Sequence, residues 1–129
     1  MSAPVSRALI GIGIDAVDLA RFRAVLERRP GMLARVFSDA EREAMARRVD
    51  PVPGLAARFC AKEATLKAFG AGLGAFDLAE VEVVNGPGGA PMLRASGRAS
   101  ELAASLGVRR IDVSLTHTAM IASAVVVAS

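Results

Sequence analysis

Residues 55–69, LAARFCAKEATLKAF, have helical periodicity and no side that belongs in water. At 3.6 residues per turn, Leu55, Phe59, Leu66 and Phe69 fall within roughly 80° of one another and make an apolar stripe. Ala57, Ala61, Ala64 and Ala68 occupy most of the remaining surface, and side chains that small let another backbone come close. Such a helix has to be covered on most of its sides, and the rest of the fold must supply the cover. Into the middle of its stripe projects Lys62, with Arg58 along one edge and Glu63 and Lys67 past the other. Lys62 and Lys67 are the only lysines in the chain; the other 14 of its 16 basic residues are arginine.

A lysine in an apolar stripe is costly unless its charge is paired or its head reaches water. The helix alone leaves two readings open. In one, the Lys62 stem packs, the ammonium snorkels out, and Glu63–Lys67 is an i,i+4 ion pair of ~0.3 kcal/mol. In the other, Arg58, Lys62 and Lys67 surround an anion while Glu63 holds something that needs a carboxylate.

With 129 residues, 53% of them hydrophobic and 22% charged, the chain predicts a single domain over 1–129 with a real core. One cysteine, Cys60, excludes an internal disulfide and favours a reducing, cytoplasmic setting. No segment reads as an export signal or a membrane span: the closing MIASAVVVA is half of the roughly 20 residues a spanning helix needs. The net charge of +3 suits an anionic partner without choosing one.

The elements follow from pattern and caps. ALIGIGID (8–15) reads as a buried strand, with Asp15 or Asp18 capping a helix to about Arg29. Ser38 and Glu41 have capping-box spacing for a second helix to Arg48, and DPVPG (50–54) is a loop. After the central helix and Gly70, LAEVEVV (78–84), the turn NGPGG and PMLRA predict a hairpin. A helix over about 97–106 and two strands, IDVSLTH and MIASAVVVA, complete an α+β order with antiparallel neighbours. The last strand is apolar on both faces, more than one small domain covers, which predicts an oligomer.

Asp15 in GIGID is the second carboxylate of interest. Alone, it is explained as a helix cap. Together with Glu63 and the basic cluster it suggests a hard divalent cation shared with phosphate oxygens, since Mg²⁺ takes one or two carboxylates and completes its shell with water and phosphate. A chain with one His and one Cys has no zinc set.

GIGID, RFCAKEATLKAFG (58–70) and SLTHT (114–118), in this order, resemble holo-acyl-carrier-protein synthase, the short type of 4′-phosphopantetheinyl transferase. The similarity runs from about residue 8 to 127. It implies an antiparallel sheet packed with helices, assembled as a homotrimer with active sites between subunits. It further implies transfer of the phosphopantetheine arm of coenzyme A to a serine of apo acyl carrier protein, releasing adenosine 3′,5′-bisphosphate in fatty-acid or polyketide biosynthesis. By position, Asp15 and Glu63 match the magnesium ligands, Lys62 and Lys67 the basic positions near the cofactor phosphates, and His117 the histidine of the last motif. Arg58 joins the cofactor-binding set, and Asp15, Glu63 and Lys62 the catalytic one. Either Glu63 or a metal-bound water would accept the serine proton. Cys60 stands where the family usually has alanine and reads as a small hydrophobe, and Ala90 where it often has a basic residue.

His117 alternates onto the face of Val113 and Leu115, so by itself it also reads as a half-buried strand residue. Along DLARFRAVLERR (18–29), Arg21 and Arg28 share nearly one line of the helix, with Arg23 and Arg29 beside it. That line begins next to Asp15 and suits an acidic carrier protein. A nucleic-acid-binding module is disfavoured, because no aromatic residues interleave with the arginines. A different phosphoryl-transfer enzyme would need a Gly-rich Walker loop, which is missing.

Overall fold

The computed structural model describes residues 8–129, so seven residues of the expected domain lie outside the description. Strand β1 (Gly11–Asp18) leads into helix α1 (Leu19–Arg28), the short α2 (Met32–Val36), α3 (Asp39–Ala46) and the long α4 (Val52–Ala68). A 3-10 turn at Leu78–Glu80 precedes the hairpin β2 (Val81–Asn85) and β3 (Pro91–Ala95), then α5 (Gly97–Ser105), β4 (Ile111–His117) and β5 (Ile121–Ala128). The class is α+β, with antiparallel sheets β1-β5-β4 and β2-β3.

Several boundaries differ from expectation, each for a local reason. The first strand runs on to Asp18, so Asp15 pairs with Ala124 inside the strand instead of ending it. Asp18 is the helix cap: its Oδ1 accepts the Arg21 N–H at 2.9 Å. Helix α4 starts three residues early, with Pro51 at its cap and Pro53 in the first turn, where a missing N–H leaves nothing unsatisfied. The Ser38–Glu41 capping box forms as its spacing predicts.

Helix α4 is the centre of the molecule, and thirteen of its 17 residues are buried. Its alanine face meets the backbone of β1. A Cβ on Gly13 would stand 1.8 Å from the Ala64 carbonyl oxygen, and one on Gly11 1.7 Å from that of Ala68. Only glycine allows this approach. The opposite side of β1 is left open: Ile12 and Ile14 are 61% and 64% exposed, paired with Val127 and Val125 of β5. No helix of the described residues is long and apolar enough to cross a membrane.

Candidate active site

Where β1 lies on α4, two carboxylates and an ammonium converge. Lys67 Nζ donates to the Ile14 carbonyl at 2.9 Å and stands 3.4 Å from Asp15 Oδ1. Lys67 remains 55% exposed while Asp15 is 18% exposed, so the ammonium reaches solvent and the carboxylate lies in a recess. Burial raises the Glu63 pKa above the ordinary carboxylate value, and the negative charge of Asp15 raises it further against the opposing Lys67. Beneath them Cys60 is fully buried, its thiol 3.6 Å from the Ala122 carbonyl oxygen. Burial, then the charge of Asp15, push the thiol up to about 12. It remains a thiol at any physiological pH, in keeping with a small packing residue.

A second cluster lies on the other side of α4. Arg58, Arg48, Asn85, Pro91 and His117 line a cleft of about 210 Å³. The Arg58 side chain is buried, donating from Nη1 to the Gly54 carbonyl at 3.3 Å, while its Nε has no partner. Burial lowers the Arg58 pKa and the charge of Arg48 lowers it further. Two guanidinium groups lining one cleft favour an anion there, although the unspent Arg58 Nε is itself buried. Exposed His117 ends β4 and also borders a wider groove of about 600 Å³ that reaches Arg23 and Asp50.

The expected site residues therefore fall into two sets. Asp15, Glu63 and Lys67 share the β1 side of α4, whereas Arg58 and His117 share the β4 side. Nine positions at 100° each turn Lys67 roughly 180° from Arg58 about the helix axis. Lys62 joins neither set. Its side chain is 0% exposed and its Nζ meets Glu41 Oε1 at 2.7 Å and the carbonyl oxygens of Leu78 at 3.0 Å and Val81 at 2.5 Å. Burial pushes its pKa down, with Glu41 opposing. The expectation of Lys62 as a phosphate ligand and catalytic residue is corrected on this geometry, because the ammonium has no proton left to offer. Snorkelling is corrected as well, since the head never reaches water.

On α1, Arg21 and Arg28 are exposed and have no carboxylate partner among the described residues. Arg23, expected to add to their field, is neutralised by Asp50 at 2.7 Å. Sequence reasoning missed Arg48 and Asn85, which carry no motif, and saw in Glu41 only a helix cap. Arg48 supplies the second cation of the cleft.

Asp15 and Glu63 suit a hard divalent cation: both donors are carboxylate oxygens and one is destabilised as an anion by the other. No group of three or more His, Cys, Asp or Glu residues is placed for a metal among the described residues. A cation here would draw most of its shell from water and substrate, as Mg²⁺ does.

Residues 11–122 match the 4′-phosphopantetheinyl transferase superfamily, and the chain belongs to it. It is 46% identical to the holo-[acyl-carrier-protein] synthase of Clavibacter michiganensis over 91% of its length and 92% of the relative's. Its identity to the Streptomyces avermitilis holo-[acyl-carrier-protein] synthase is also 46%, over 94% and 98%. Among solved structures, the Neisseria meningitidis holo-[acyl-carrier-protein] synthase superposes with TM-score 0.87 at 28% identity, covering 95% of this chain and 99% of that one. The Helicobacter pylori synthase, solved in complex with coenzyme A, superposes with TM-score 0.80 at 29% identity, over 92% and 99%. Fold, family and relatives place this transferase with the holo-acyl-carrier-protein synthases.

Proposed function

We propose that the protein moves the 4′-phosphopantetheine arm of coenzyme A onto a serine hydroxyl of apo acyl carrier protein, releasing adenosine 3′,5′-bisphosphate. The observation that carries this reading is the convergence of Asp15, Glu63 and Lys67 at the seam of β1 and α4. Asp15 and Glu63 would hold a Mg²⁺ ion, which supplies Lewis-acid stabilisation of phosphoryl charge. Glu63 would take the serine proton as general base; burial and the charge of Asp15 raise its pKa, while a cation held by the same carboxylate would oppose that rise. As the serine oxygen bonds to the β-phosphorus, the bond to the leaving phosphate breaks and its electron pair stays on that oxygen. Lys67 spends two protons on β1 and has a third for the phosphoryl oxygens.

In this reading the Arg48–Arg58–His117 cleft holds the nucleotide end of coenzyme A. One chain turns its two halves to opposite sides of α4, so a complete site needs the seam of one protomer against the cleft of the next. The open face of Ile12, Ile14, Val125 and Val127 is an apolar surface suited to that contact, and a homotrimer closes the arrangement. Arg21 and Arg28 would orient the acidic carrier. The setting is the cytoplasm, and the pathway is fatty-acid or polyketide synthesis.

The test is mass spectrometry of an apo carrier protein incubated with coenzyme A, Mg²⁺ and the protein. A gain of one phosphopantetheine arm is expected, and an unmodified carrier would sink the reading. Light scattering at micromolar concentration checks the assembly, with a monomeric mass as the contrary result.

A further inference from the structure

Glu41 is 2% exposed and bonded on all sides. Its Oε1 accepts from Lys62 Nζ at 2.7 Å and from the Ser38 N–H at 3.1 Å, and its Oε2 accepts from the Val83 N–H at 3.1 Å. Lys62 in turn donates to the carbonyls of Leu78 and Val81, with the Phe37 ring centroid 5.5 Å from its ammonium. One ion pair thus ties α3, α4, the 3-10 turn and β2 together. A buried pair of this kind is seldom retained for stability, because an apolar pair of similar volume often does as well.

What the pair supplies is an angle. On its β1 side α4 touches glycines through Ala64 and Ala68, a smooth contact that blocks approach but offers nothing to stop the helix turning about its axis. Thr65 and Arg58 bond within α4 itself, to Ala61 and Gly54. Lys67 reaches β1, but it is the group that faces the proposed substrate. Leu55 and Leu66 pack in the core and Cys60 touches the Ala122 carbonyl, but Lys62, opposite the open seam and locked by three acceptors, makes the strongest directional link from α4 to other elements. A turn of about 10° moves an atom roughly 6 Å from the axis by about 1 Å. A displacement of about 1 Å is worth about 100-fold in rate at a reacting centre.

We infer that Glu41 and Lys62 are positioning residues, a buried key that sets α4 so that Glu63 addresses Asp15 while neither member of the key touches substrate. The inference rests on the transferase reading for its rate measurements, but not for its folding ones. The test compares Glu41→Gln, Lys62→Met and the double variant, each assayed well below its own melting temperature. Relative to wild type, kcat should fall about 10-fold in Glu41→Gln and up to about 100-fold in Lys62→Met. KM for coenzyme A should stay within about 2-fold in both, because no binding contact is lost. The double variant, which leaves no carboxylate buried without its cation, should recover part of the kcat lost by Lys62→Met.

Wild-type kcat in Glu41→Gln would overturn the inference, since Lys62 would then act without its partner. So would a double variant that melts like wild type yet turns over no faster than Lys62→Met, or a KM for coenzyme A that rises with loss of Lys62. If the wild type itself modifies no carrier, the transferase reading fails separately. Melting temperatures of the three variants then test the pairing on which the key depends: additive losses refute the key, and a double variant more stable than Lys62→Met shows the two side chains acting as one unit.

Discussion

Lys67 Nζ lies 3.4 Å from Asp15 Oδ1 although 52 residues separate them in the chain. The contact closes one end of the seam between β1 and α4, and the charges of Asp15 and Lys67 both act on Glu63. Removing either carboxylate should therefore cost metal affinity and rate together. Asp15→Asn and Glu63→Gln are expected to lower kcat by at least about 100-fold, the scale of one preorganised electrostatic contact. Titration calorimetry with Mg²⁺ should show weakened binding in both. Wild-type turnover of either at limiting Mg²⁺ would remove the metal assignment.

The separation of Arg58 from that seam predicts complementation between chains. Asp15→Asn and Arg58→Met variants, each impaired alone at limiting coenzyme A, should regain activity when co-expressed and assembled into mixed oligomers. Mixed oligomers without activity would mean that each chain works with its own two halves. In the homogeneous Arg58→Met protein the loss should appear first in KM for coenzyme A.

On α1 the structure separates arginines that the sequence grouped. Arg21→Glu should raise KM for the carrier by about an order of magnitude, roughly 1.4 kcal/mol of binding, and lose that effect at high salt. Coenzyme A affinity should be unchanged. A carrier KM that ignores this charge reversal at low ionic strength would move docking elsewhere.

Arg23 should behave differently, because its charge is spent on Asp50. The hydrogen bond from Arg23, then the Val52 N–H, hold the Asp50 carboxyl below its ordinary pKa. A depressed carboxylate stabilises the fold above its unfolded pKa, and that stability is lost as pH falls through the folded one. Asp50→Asn should therefore melt lower than wild type at neutral pH, and the gap should close on acidification below the ordinary aspartate range. A gap that persisted there would assign the effect to packing.

Gly13→Ala should be severely destabilising, by about 3 kcal/mol or more, because the atom that must yield is the backbone oxygen of Ala64. Chemical denaturation checks this, and a near-neutral result would show that β1 and α4 separate more easily than their contact suggests.

Much of this was legible in the sequence, for identifiable reasons. The alanine face announced a backbone neighbour, and the neighbour is GIGID. Ser38 and Glu41 announce a cap, and GIGID and the central helix carry Asp15, Glu63 and Lys67, the three groups at the seam. A helical wheel misplaces Lys62 because it records direction and not partners: Glu41, 21 residues earlier, and two carbonyls of the 78–81 segment meet it only after folding. Arg48 stayed invisible for a similar reason, one of an Arg-Arg pair whose role comes from Gly54 and Arg58 beside it. Which site residues fall on which side of α4 was also out of reach, since opposite sides of the helix become separate places only once a sheet lies across it.

The glycines of β1 have one more consequence. Where two elements meet through branched side chains, their spacing drifts as rotamers exchange, and heat changes it first. Between Gly13 and Ala64 there are no rotamers, only main-chain atoms in contact, so the gap is a mechanical stop as stiff as the backbone. The separation of the β1 and α4 backbones that carry Asp15 and Glu63 is then a fixed gauge, in spacing though not in rotation, insensitive to the repacking of Val and Leu layers nearby. Temperature should loosen the outer helices of this enzyme well before it detunes the seam.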